Sequence, residues 1–179
     1  MNDSVKSPFE ILAGYERLSL AHAGAGTAAG ASADDLWRGI GFRVGDRHLV
    51  SSLTEVNEIL AFPEVTRVPG ARTWLLGVAS VRGNLLPLID LKDFLSGEAA
   101  SLSNSSRVLL VRQSGGSVGL LVDEVVGQRS FGNGQRVSAP ADDVIGRYVV
   151  GHYALGDVQW SRFSIAALVR ANEFSQAAA

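Results

Sequence analysis

Two hydrophobic periods divide the chain. Over residues 7–23, Phe9, Leu12, Tyr15 and Leu18 recur at every third position, and Ile11 widens the stripe. That spacing predicts an amphipathic helix. Ser7 and Glu10 form a capping box at its start, with Pro8 at the first helical position. Residues 23–33 are almost entirely Ala, Gly, Ser and Thr, with nothing large enough to pack, and read as a flexible linker. The helix is therefore tethered ahead of a main domain, and its apolar stripe either packs on that domain or docks on a partner. From Trp37 onward the period changes to two. Ile40, Phe42 and Val44 alternate with smaller or polar residues, as a strand does.

Further strands are expected over residues 48–56, 74–82 and 85–91, then 107–113, 117–126, 144–154 and 158–163. The turns between them fall at Gly45-Asp46, Gly83-Asn84, Ser114-Gly115-Gly116 and Gly156-Asp157. Residues 62–72, 97–106 and 127–140 read as loops. Residues 92–95 form a helical turn and 165–171 a short helix, after which the tail frays.

The main domain repeats itself weakly. Val56-Asn57-Glu58-Ile59 resembles Val122-Asp123-Glu124-Val125, and residues 75–91 resemble residues 149–165. Each half has a hairpin, a loop, a second hairpin and a helical turn. A lone sheet of about four strands leaves its edges open, and closure into a small barrel removes them. The expected fold is mainly β, with two small barrels packed together. The organisation is residues 1–36 for helix and linker, 37–171 for the barrels (about 37–96 and 106–171) and 172–179 for the tail.

Composition narrows the chemistry. The 179 residues include 16 basic and 18 acidic side chains, for a net charge of −2. No clustered basic excess marks a nucleic-acid surface. The chain has no cysteine, which removes disulfides, thiol nucleophiles and Cys-ligated zinc. No apolar run approaches the roughly 20 residues needed to span a bilayer, and the first residues lack a secretory pattern. A cytoplasmic protein without membrane insertion is expected. Gly115-Gly116-Ser117-Val118-Gly119 matches a nucleophile elbow, but a strand follows it where that motif needs a helix. His22, His48 and His152 lie far apart, and Asp90, Asp123 and Glu124 belong to strands of different halves. No catalytic residue, metal ligand or cofactor site is assigned.

One set of blocks carries a resemblance. Val65-Thr66-Arg67-Val68-Pro69 is followed by Leu76-Gly77-Val78-Ala79-Ser80-Val81-Arg82-Gly83-Asn84-Leu85-Leu86-Pro87-Leu88-Ile89-Asp90-Leu91. Glu55-Val56-Asn57-Glu58-Ile59 precedes them and Gly119-Leu120-Leu121-Val122-Asp123-Glu124-Val125 comes after. In this order they resemble the CheW family of chemotaxis adaptors over about residues 39–170. Within the family the chain is most similar to the adaptors of type IV pilus, or twitching-motility, chemosensory systems.

The resemblance implies two packed five-stranded SH3-like barrels. It also implies a non-catalytic scaffold that links a methyl-accepting receptor's cytoplasmic tip to the regulatory domain of a CheA-like histidine kinase, recruited to membrane receptor arrays. The positions that matter for this coupling in the family fall on Val56, Glu58, Gly77, Arg82 and Gly83. From the residues themselves, an exposed Arg82–Glu58 bridge would contribute about 0–1 kcal/mol, so geometry or partner contact explains it better than stability, with a plain salt bridge as the alternative. Gly83 needs only the turn to explain it. Ser164 stands where the family often has an acid. The alternative to the adaptor is a β-barrel interaction module with an unrelated partner.

Overall fold

The computed structural model describes residues 36–138 and 145–175. The expected N-terminal helix and nearly all of its linker lie outside these. The described residues hold eleven strands in order: β1 (Trp37–Val44), β2 (Arg47–Ser52), β3 (Glu58–Ala61), β4 (Leu75–Val81), β5 (Asn84–Asp90), β6 (Arg107–Gln113), β7 (Gly116–Val122), β8 (Glu124–Phe131), β9 (Arg136–Val137), β10 (Val149–Leu155) and β11 (Val158–Phe163). Among the described residues three short α-helices are α1 (Leu91–Ser96), α2 (Ile165–Val169) and α3 (Asn172–Ser175).

The strands form two sheets, ordered β8-β1-β2-β11-β10-β9 and β3-β6-β7-β5-β4. The sheets do not follow the division at 37–96 and 106–171. Residues 58–122 supply the whole second sheet, while the first is assembled from both ends of the domain. Two contacts join those ends: β1 pairs antiparallel with β8, and β2 runs parallel beside β11, with His48 opposite Trp160 and Val50 opposite Arg162. Hydrophobic pattern marks which residues form strands but carries no address for a parallel partner so distant in sequence.

With that permutation allowed, the repeat is complete. β3 and β8 each open a unit. The chain then returns to pair with the outer strand of a hairpin, as Thr66 opposite Val78 in one unit and Val137 opposite His152 in the other. The hairpins β4–β5 and β10–β11 follow, each with a register shift, at Leu75/Gly77 and Val149/Gly151. Each leads into a helix. A second hairpin, β6–β7 or β1–β2, then pairs in parallel through β7 with β5 or through β2 with β11. The two resembling Val-Asx-Glu segments are the places where the chain crosses between sheets. Asn57 and Asp123, at equivalent points, donate their amides to Leu110 and Arg43 on the strands they join, at 2.9 and 3.0 Å.

Alternation along the strands sorts the apolar side chains into three groups. Val50, Phe131, Tyr153 and Trp160 pack with Trp37 in one barrel, and Ala79, Leu86, Leu88 and Val108 pack in the other. Between the sheets lie Phe42, Val44, Leu49, Ile89, Leu109, Val111, Leu120, Val122 and Phe163. Every one of these is nearly free of solvent, so the barrels share one continuous core and are not beads on a string.

Several boundaries differ from the pattern-based expectation. The strand expected over 48–56 ends at Ser52 in a turn at residues 53–55 that contains no Gly or Pro, and β3 starts only at Glu58. The strand over 117–126 breaks at Asp123, and β8 then runs through residues expected to be loop, bulging where Gly127 has φ +98°. Of the expected tail, residues 172–175 are helical. Phe174 is 3% exposed and packs against Trp74 and Phe94, with ring centroids 6.4 and 5.5 Å away.

Candidate functional site

The turn of hairpin β4–β5 is Arg82-Gly83, not Gly83-Asn84. Asn84 already pairs with Val81, because Leu86 and Leu88 must face the barrel interior and this fixes the register one residue earlier. Both turn residues have positive φ, +51° at Arg82 and +81° at Gly83. This is the pattern of a tight hairpin turn whose first position favours Asn, Asp or Gly. Arg82 is the one non-glycine residue with positive φ among the described residues. Holding a side chain there costs about 1–2 kcal/mol.

Arg82 reaches Glu58 at the start of β3. Its Nη1 donates to Oε2 at 3.0 Å and its Nη2 to Oε1 at 2.5 Å, a two-pronged pair. Arg82 remains 74% exposed and Glu58 30%. An exposed pair returns only about 0–1 kcal/mol, which does not offset the turn's cost with any margin. Arg82 is thus held in a costly conformation by a pair that gives little stability in return.

Beside this pair is a shallow groove of about 190 Å³ lined by Ile40, Leu53, Val56, Asn57, Glu58 and Ile59. Leu53 and Ile59 are 39% and 40% exposed, large apolar side chains left at the rim. The structure thus brings Val56, Glu58, Arg82 and Gly83 to one face. Gly77 stands apart from them. It is buried, with φ +141°, and a Cβ there would overlap the carbonyl oxygen of Thr66. Thr66 and Val78 exchange two backbone hydrogen bonds at 2.9 and 2.8 Å, so Gly77 is what lets the barrel close. Sequence reasoning does not reach Leu53, Ile59 or Ile40 as groove residues. A signal exists at Ile59, an apolar residue on the outward phase of a short edge strand, but it is hidden while residues 48–56 read as one strand.

The duplicated position shows how the two units diverged. Glu124 is the counterpart of Glu58 in the other crossover. It accepts from Arg43 Nε at 3.0 Å, within the ladder of β1 and β8, and Asp123 accepts the Gly45 amide at 2.6 Å. The Glu124 hydrogen bond and charge raise the Arg43 pKa above its ordinary value. The counterpart of Arg82 is Gly156. At this duplicated position the second barrel pairs its acid with a turn arginine that is 74% exposed, while the first pairs its acid with Arg43 on the neighbouring strand, 34% exposed.

The remaining candidates for chemistry have structural partners. Asp90 is 2% exposed and caps α1, accepting from the amides of Lys92, Asp93 and Ala100 at 3.0, 3.1 and 2.8 Å. Burial pushes its pKa up. Ser117 lies within β7. His48 packs on the Trp160 ring at 5.1 Å, and His152 Nδ1 shares a hydrogen bond with Ser161 Oγ at 3.1 Å. Among the described residues no helix is long and apolar enough to cross a membrane.

The chain is similar to known proteins in sequence and in fold. The CheW-like domain family matches residues 38–173. The chain is 43% identical over 127 residues to the protein PilI of Pseudomonas aeruginosa, covering 71% of each. It is 35% identical over 86 residues to the chemotaxis protein CheW of Rhizobium meliloti, covering 48% of this chain and 56% of that one. In fold it is similar to the crystal structure of the scaffolding protein TtCheW from Thermoanaerobacter tengcongensis, with a TM-score of 0.65 and 21% identity over 75% of this chain and 93% of that one. Two SH3-like barrels joined through one core, with a family match across nearly all of them, make this chain a member of the CheW family of non-catalytic chemosensory adaptors.

Proposed function

We propose that this chain couples the cytoplasmic tip of a methyl-accepting receptor to the regulatory domain of a CheA-like histidine kinase, in a chemosensory system that controls type IV pili. The observation that carries the reading is the Arg82–Glu58 pair, exposed, bidentate and built on a costly turn beside an apolar groove. An apolar floor with one rigid charged pair at its rim suits a helical partner that buries a few apolar side chains and is oriented by one polar contact. The receptor tip is assigned to this groove, with Val56 as floor, Glu58 and Arg82 as rim, and Gly83 setting the turn that aims Arg82. Gly77 supports the same face indirectly, through barrel closure at Thr66. The similarity to PilI supports the pilus assignment. The protein works at membrane receptor arrays through these contacts.

The test is binding by the full chain to a receptor signalling-tip fragment and to a kinase regulatory domain, each measured by calorimetry. Wild-type protein is expected to bind both. Glu58→Ala is expected to weaken the receptor contact about tenfold or more, as loss of a charged rim contact does, with an unchanged circular-dichroism spectrum. A folded Glu58→Ala protein that binds both fragments as wild type does would remove the residue assignment.

A further inference from the structure

We propose that Glu55 is a positioning residue for the groove, fastening the crossover that carries Val56 and Glu58 to helix α2; the proposal rests on the receptor-docking assignment above. The observation is an asymmetry between the two duplicated helix starts. At α1 the cap is local. Asp90 uses its own carboxylate to take the amides of Lys92 and Asp93, and its second oxygen takes the amide of Ala100. At α2 the equivalent residue is Ser164, whose single oxygen takes only the Ala167 amide, at 3.1 Å. The first turn of a helix has amides with no partner inside the helix, and here the amide of Ala166 must find one elsewhere.

It finds Glu55. One carboxylate oxygen of Glu55 accepts from Ala166 N at 2.9 Å and from Ser164 Oγ at 3.5 Å, while the other accepts from Ser52 N at 3.1 Å. The acid missing from position 164 is supplied from the crossover, 111 residues earlier in the chain than Ala166. Two jobs are thereby joined in one side chain. The same carboxylate completes the cap of α2 and pins residues 53–57 at a fixed place between the barrels. The backbone alone holds that segment by few bonds, Glu55 N to Ser52 O at 3.0 Å and Asn57 N to Leu110 O at 2.9 Å. Glu55, Thr54 and Asn57 also form one wall of a groove of about 540 Å³ whose other wall is Ile165, Ala166 and Val169, and the Glu55–Ala166 bond ties those walls together. Val56 follows Glu55 directly. A shift of the crossover moves Val56, Asn57 and Glu58 together, and with Glu58 the partner of Arg82.

A mere helix cap and a positioning residue make different predictions under rescue. Added to Glu55→Ala, Ser164→Asp restores a carboxylate at the cap, after the pattern of Asp90, but leaves the crossover unattached. Three full-length variants are compared: Glu55→Ala, Ser164→Asp and the double variant. The readouts are thermal unfolding, amide exchange at residues 53–57, and binding to the receptor-tip fragment. Glu55→Ala is expected to lower the melting temperature, speed exchange at 53–57 and weaken receptor binding roughly tenfold, the size expected of a residue that acts through others. The double variant is expected to recover melting temperature while exchange at 53–57 stays fast and binding stays weak. Recovery of binding together with stability would reduce Glu55 to a cap and overturn the proposal. So would unchanged exchange at 53–57 in Glu55→Ala, whatever the binding result. Failure of the wild-type chain to bind the fragment, by contrast, overturns the docking assignment itself.

Discussion

Arg82→Gly is expected to fold as stably as the wild-type chain, to within about 1 kcal/mol, and to lose its receptor contact. Three terms set the stability. Glycine relieves the cost of about 1–2 kcal/mol for a side chain at φ +51°. It forfeits an exposed ion pair of about 0–1 kcal/mol. It adds freedom to the unfolded chain, worth roughly 0.5–1 kcal/mol against folding. These nearly cancel. Binding has no such compensation, because the cation paired with Glu58 is removed and a carboxylate is left at the rim of an apolar groove. Loss of an arginine anchor in such a place typically costs about 2 kcal/mol or more, roughly thirtyfold in affinity. Denaturant unfolding and calorimetry on the same preparation separate the two. A variant that loses stability by several kcal/mol would show that Arg82 serves the fold. One that keeps both stability and affinity would show that it serves neither.

Gly77→Ala is expected to fail in the opposite way. The new Cβ would overlap a backbone oxygen, that of Thr66, and φ +141° is strained for any L side chain. Thr66 cannot retreat without breaking its two hydrogen bonds to Val78, which close the second barrel. The expected loss is about 3–5 kcal/mol, within the range for forced backbone strain with broken pairing, read as a large drop in the unfolding midpoint. Partner binding should fall only in proportion to the unfolded fraction, recovering at low temperature. A Gly77→Ala protein of wild-type stability with no partner binding would instead make Gly77 a direct contact.

These two substitutions mark how far the sequence can be read. The hairpins around residues 75–91 and 149–165 are legible because their outer and inner phases alternate cleanly and a glycine marks each turn. The register of the Arg82 turn is not, since Gly-Asn and Arg-Gly are both possible until Leu86 and Leu88 are known to face inward. The bridge to Glu58 is legible as a pair, but its cost is not, because φ cannot be read from residue type. The break between β2 and β3 is hidden by a turn of Leu53, Thr54 and Glu55, none of them a turn marker. That break also conceals Ile59 as a rim residue and Glu55 as a capping group. The assignment of β1 and β2 to the barrel of β8–β11 depends on two long-range contacts, β1 beside β8 and His48 of β2 opposite Trp160, and local pattern holds no trace of either. What the internal repeat does preserve are the two crossovers, Val56-Asn57-Glu58 and Val122-Asp123-Glu124, since both must turn a strand from one sheet into the other.

The most direct test of the adaptor account is a mixing experiment on a sizing column with the full chain, a receptor signalling-tip fragment and a kinase regulatory domain. The account predicts one peak containing all three, while the receptor fragment and the kinase domain elute apart when this chain is left out or replaced by Arg82→Gly. Elution of the folded wild-type chain alone, with neither fragment in its peak, would contradict it.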